Sequence, residues 1–101
     1  MLSGFLSPRF VQLDAIPSLS EGDYVSFVGY VDKLTISGQY AYLTLCDSVH
    51  SSTCISVMAS ESNIPLGILD GDYVSVNGTV KEGNAGKYVS VYSPNDIAIR
   101  Q

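Results

Sequence analysis

Residues 22–31 read Gly-Asp-Tyr-Val-Ser-Phe-Val-Gly-Tyr-Val, and residues 71–80 read Gly-Asp-Tyr-Val-Ser-Val-Asn-Gly-Thr-Val. The shared frame, G-D-Y-V-S-x-x-G-x-V, describes a turn feeding a strand that has a glycine in its interior. Strands carry an interior glycine where they bend sharply or bulge. Two such strands in a chain of 101 residues predict a small closed all-β barrel, because sheets curl into barrels at such positions.

Working outward from the phrase, Glu21-Gly22-Asp23 opens a first strand over about 23–36. Ser37-Gly38-Gln39 turns into a second strand, 40–46. A polar loop, Asp47 to Ser52, leads to a third strand, 53–59. Residues 60–69 lose the alternation and are interrupted by Pro65 and Gly67, which leaves room for one short helical turn. Asp70-Gly71-Asp72 opens a fourth strand, 72–82, and Gly83-Asn84-Ala85-Gly86 turns into a fifth, 87–93. Residues 1–20 read as an N-terminal extension in which Val11, Leu13 and Ile16 cover one barrel end. Residues 21–93 form the barrel and 94–101 a short apolar tail, so residues 1–101 make one domain.

Period-two alternation names the core. It comprises Val25, Phe27, Gly29 and Val31, then Ala41, Leu43 and Leu45, and Ile55, Val57 and Ala59. Val74, Val76, Gly78 and Val80 follow, with Val89 and Val91. The outward set holds all seven tyrosines, interleaved with Ser26, Thr44, Ser56, Ser75 and Ser90. Tyrosine has high strand propensity on any half-exposed sheet. It also suits a surface that is wet when free and buried when bound. For Tyr30, Tyr40, Tyr42 and Tyr88 taken together, the interface reading is the better one.

Apolar residues make up 46% and charged residues 15%, which places the chain among folded domains. No run is long enough to span a bilayer. The first ten residues lack a basic n-region, so no signal peptide is expected. The formal charge of −5 argues against a protein that grips many phosphates alone. It fits a binding module with a few clustered cations, or a subunit whose main partner is protein. Two cysteines, Cys46 and Cys54, read as ordinary free thiols of an intracellular protein, nuclear if the source is eukaryotic.

Five strands, a break between the third and fourth, and glycines bending the first and fourth resemble the OB-fold, a five-stranded Greek-key barrel. The resemblance covers about residues 22–93. Within it, Phe27-Val28-Gly29-Tyr30-Val31-Asp32-Lys33-Leu34 is similar to strand one of the smallest subunit of replication protein A, with Pro8-Arg9 at a similar remove upstream. The second phrase is similar to the corresponding fourth strand. The smallest subunit of the CST telomere-capping complex shares the plan and the length. The resemblance implies an assembly partner for a larger OB subunit in a single-stranded-DNA-binding complex. Those subunits usually end in a helix packed on the partner. Here about eight residues follow the last strand, so the expectation divides between a subunit without that helix and a stand-alone OB protein binding single-stranded DNA or RNA.

OB-folds bind single strands across strands two and three and the loops that flank them, with aromatic faces stacking on bases and cations tracking the backbone. On that map Tyr40, Tyr42, Thr44, Ser56 and Met58 lie on the face, Tyr30 and Tyr88 extend it, and Lys33, Lys81 and Lys87 stand at the rim. Lysines also gather near turns simply because turns are exposed. Ile97 and Ile99 in the tail are candidate partner contacts, unless the tail closes the barrel instead. A purely protein-binding adaptor is the alternative from another class.

Cys46, His50 and Cys54 are evenly spaced. A hairpin symmetric about His50 places Cys46 opposite Cys54, Thr44 opposite Ser56 and Tyr42 opposite Met58. Opposed cysteines can form a cross-strand disulfide if oxidised, and an extracellular sandwich with one disulfide is a third reading. With Asp47 they do not make a known zinc pattern, so no metal is expected, and no cofactor either. The single histidine has no supporting triad, and Gly83-Asn84-Ala85-Gly86-Lys87 is too short for a phosphate loop and joins two strands. No enzyme is expected.

Overall fold

A computed structural model describes residues 7–48 and 53–100. Seven strands occur: β1 (Arg9–Phe10), β2 (Tyr24–Ser37), β3 (Tyr40–Cys46), β4 (Cys54–Ser60), β5 (Tyr73–Gly83), β6 (Gly86–Val91) and β7 (Ile97–Arg100). Short 3₁₀ turns occupy Leu13–Ser18, Glu61–Asn63 and Pro94–Asp96. β2 to β6 are the five expected strands. The sheet runs β1-β2-β3-β4-β6-β5-β7, and β5 also pairs with β2, so the inner five close into a ring. The expectation of five strands is therefore corrected to seven. β1 adds in parallel beside Val25 and Ser26, and the tail is a strand, β7, paired with Tyr73–Val76.

The repeated phrase makes the seam of this ring, because the two copies pair with each other. Val25 faces Gly78, Phe27 faces Val76 and Gly29 faces Val74, so the two copies are related by a local twofold through the Phe27–Val76 pair. The turns obey the same symmetry. The Gly22 N–H donates to Val80 O, and the Gly71 N–H donates to Val31 O. Asp23 Oδ2 accepts from Ser20 N at 3.0 Å, and Asp72 Oδ2 accepts from Leu69 N at 2.9 Å. Gly22 and Gly71 have φ of 97° and 92°, the left-handed region that a side chain resists. The phrase thus encodes a turn, its Asp cap and the strand it launches.

The interior glycines sit beside the points where each long strand changes partner. β2 pairs with β5 through Tyr30 and with β3 from Tyr30 onward. β5 pairs with β2 through Thr79 and with β6 from Thr79 onward. A Cβ on Gly78 would lie 2.5 Å from Val89 Cγ1 and 2.7 Å from Ser90 O. On Gly29 it would lie 3.0 Å from Leu13 Cδ1. Only glycine lets the neighbouring strand and the N-terminal turn come this near.

Every residue assigned inward by alternation is buried. Leu13 and Ile16 of the N-terminal turn join the same core cluster, as does Ile97 from β7. The register shifts between Val31 and Lys33: Val31 opposes Leu45, whereas Lys33 opposes Thr44. This bulge, at Asp32, reverses the facing of the rest of β2. Without it Lys33 would follow Val31 inward.

Two expectations are corrected here. Cys46 and Cys54 are bonded as a cross-strand disulfide with Cα atoms 4.0 Å apart, not free thiols. The β3–β4 register otherwise matches the hairpin reading, with Thr44 opposite Ser56 and Tyr42 opposite Met58. His50 lies outside the described residues. The disulfide removes the thiol argument for a reducing compartment. Ser90, placed outward, is 4% exposed, lying in register beside Met58 on β4 and Thr79 on β5. Among the described residues no helix is long and apolar enough to cross a membrane.

Candidate nucleic-acid interface

Strand pairing aligns the outward residues of β2, β3, β4, β6 and β5 into rows. One row runs Lys33–Thr44–Ser56–Tyr88–Lys81. The next runs Thr35–Tyr42–Met58–Ser90–Thr79. A third begins Ser37–Tyr40–Ser60. Paired residues share a face, so the rows form one continuous outer surface. Seven of the expected site residues, Lys33, Tyr42, Thr44, Ser56, Met58, Lys81 and Tyr88, occupy the first two rows, and Tyr40 opens the third. Tyr40 and Tyr42 are 50% and 42% exposed.

Two depressions share this surface. The first, about 320 Å³, lies between Tyr40, Tyr88 and Tyr92, with Met58 and Ser90 between them and Asn63 and Lys81 also lining it. The second, about 390 Å³, lies between Tyr42 and Tyr88 and is walled by the β5–β6 turn, Gly83 to Gly86. Met58 and Tyr88 line both and separate them. Asn63 arrives there because the 3₁₀ turn Glu61–Asn63 is tied to the β2–β3 turn, with Glu61 N donating to Gln39 O at 2.9 Å.

Charge is distributed unevenly. The chain has ten acidic residues, yet neither depression is lined by one, and neither of the first two rows contains one. Lys33 and Lys81 have no ion-pair or hydrogen-bond partner among the described residues. The face is therefore cationic and aromatic on an anionic molecule.

Three expected site residues stand apart from this picture. Tyr30 belongs to another patch. It pairs with Cys46, at the opposite end of β3 from Tyr40, roughly 20 Å along the strand. Its ring packs against Tyr73 at 4.7 Å between centroids, tilted by 45°. Lys87 lines the second depression, but its ammonium donates to Leu19 O at 2.7 Å and approaches Pro17 O at 3.5 Å. It closes the end of the N-terminal 3₁₀ turn rather than standing free for phosphate. Ile97 is 3% exposed and packed in the core opposite Val76, so of the two expected partner contacts in the tail Ile99, 37% exposed, is the one at the surface. Sequence reasoning missed Ser90, Tyr92 and Asn63 as site residues. Their convergence depends on the parallel β4–β6 pairing, which no local pattern announces.

No protein-family profile matches the chain. No curated protein is similar to it in sequence. Solved structures are similar in fold. An OBody bound to hen egg-white lysozyme superposes with a TM-score of 0.70 at 20% identity, over 98% of this chain and 99% of that one. Asparaginyl-tRNA synthetase from Pyrococcus horikoshii gives 0.71 at 20% identity, over 90% of this chain and 23% of that one. The Stn1–Ten1 complex of S. pombe gives 0.62 at 14% identity, over 77% of this chain and 58% of that one. The fold is an OB fold. The chain spans under two thirds of the length of the last two, so the likeness to them concerns the domain alone.

Proposed function

We propose that this OB fold binds single-stranded nucleic acid, DNA foremost, across the β3–β4–β6 face. One observation carries the reading: on a molecule of net charge −5, the tyrosine-lined face has no carboxylate of the described residues in its depressions and, at its rim, two lysines without a partner among the described residues. Tyr40, Tyr42 and Tyr88 offer ring faces for base stacking, and Lys33 and Lys81 meet the backbone. The role is binding, not catalysis. Similar structures include an enzyme named for its tRNA substrate and one Stn1–Ten1 complex. The latter supports the finer reading, a small subunit of a replication protein A-like or telomere-capping assembly, with Ile99 facing a larger OB partner.

A protein-binding adaptor is the second reading, favoured by the similar OBody that is bound to lysozyme. Fluorescence anisotropy with labelled oligo-dT and oligo-rU, from low to physiological salt, separates the two. Salt-sensitive binding supports the nucleic-acid reading. Absence of binding at low salt refutes it and leaves the adaptor.

A further inference from the structure

Ser90 is the only buried polar residue among the described residues, at 4% exposure. Its hydroxyl has no hydrogen-bond partner among them. Buried polar groups are ordinarily paired, and an orphan in a native fold calls for a reason. Ser90 lines the first depression together with Asn63 and Lys81. The second holds the same residue types, Ser56, Asn84 and Lys87, but Ser56 and Asn84 are exposed and the Lys87 ammonium is taken by Leu19 O. The two depressions therefore differ in kind. Only the first holds a buried hydroxyl, and an ammonium, without a partner among the described residues.

We infer that the first depression reads the identity of one base, selecting an exocyclic carbonyl over an exocyclic amino group, while the second holds a neighbouring base, stacked on Tyr42 and Tyr88, without that selection. This rests on the nucleic-acid reading above. A hydroxyl and a primary amide each donate and accept, so Ser90 and Asn63 can engage the edge of any base and fix its orientation. Lys81 only donates. Thymine, uracil and guanine present a carbonyl oxygen to such a group. Cytosine and adenine present an amino group at that position, which an ammonium repels. The hydroxyl of Ser90 then has its partner only in the bound state.

The test compares the affinities of short oligo-dT and oligo-dC for the full chain, since both are flexible pyrimidine strands that differ in this group. Oligo-dT is expected to bind more tightly by roughly three- to ten-fold, about one net hydrogen bond. In Ser90→Ala the ratio falls toward one, while the thermal midpoint of the free protein does not fall, because an unpaired hydroxyl has been removed. Tyr42→Ala, in the second depression, weakens both strands alike and keeps the ratio. A wild-type ratio near one overturns the inference. So does a ratio unchanged in Ser90→Ala, or a lower midpoint in that variant, which would make the hydroxyl structural. Failure of either strand to bind at low salt refutes the nucleic-acid reading itself, and the inference with it.

Discussion

Lys81 and Lys87 look equivalent in sequence, bracketing one turn, but their surroundings assign them different work. Lys33 and Lys81 have no partner among the described residues, so on the proposed function two phosphates are neutralised on binding, and log affinity is expected to fall with log salt at a slope of about −1.4 for a single strand. Between roughly 50 and 200 mM salt this weakens binding about seven-fold. Lys81→Met halves the slope, to about −0.7, and reduces the loss to about threefold. It leaves stability unchanged, since the side chain bonds to nothing among the described residues. Lys87→Met does the reverse. It removes a part-buried charge-assisted bond at 2.7 Å and strands the Leu19 carbonyl. A loss of about 1–2 kcal/mol is expected. That lowers the thermal midpoint by about 5–10 °C in a domain of this size. The assay is anisotropy titration at four salt concentrations beside a thermal melt, for wild type and both variants. A Lys87→Met protein that melts like wild type and loses salt slope like Lys81→Met would refute this division.

Gly78→Ala should cost at least about 3 kcal/mol, because its Cβ would enter the space of Val89 and of the Ser90 carbonyl, whereas Gly29→Ala should cost about 1–2 kcal/mol, since its tightest contact, 3.0 Å, is to the movable end of Leu13. Chemical denaturation of both tests the order. Tyr42→Ala should weaken single-strand affinity by about tenfold, one base stack, with an unchanged melt, as read by anisotropy and circular dichroism. Replacing both Cys46 and Cys54 by Ser should lower stability by about 2–3 kcal/mol, the loop-closure value for a crosslink spanning eight residues, measured against wild type with and without reductant.

Elements with a strong local signal were legible in the sequence. Alternation from Val25 to Val91 marked the core because each strand is wetted on one face only. The even spacing of Cys46, His50 and Cys54 yielded the β3–β4 register. β1 and β7, at two and four residues, are too short to show a period. The bond from Lys87 to Leu19 spans 68 residues and leaves no trace in either neighbourhood. The same holds for Ser90, whose burial depends on Met58 alongside it in a parallel pair. Sequence marked the aromatic and cationic residues of the candidate face; the long-range pairing that adds Ser90, Tyr92 and Asn63 to it needed the fold.

The self-pairing of the repeated phrase bears on how the chain reaches its native state. Its two copies lie 49 residues apart (71 minus 22), so the first waits for the second before the seam can form. Non-local pairing of this kind places folding among the slow, millisecond-to-second cases. During that wait the first copy presents a sequence complementary to itself, since a twofold-related partner is what it binds. A second nascent molecule carries the same partner. Concentrated refolding therefore favours exchange of β2 or β5 between molecules, and dilution favours the monomeric ring.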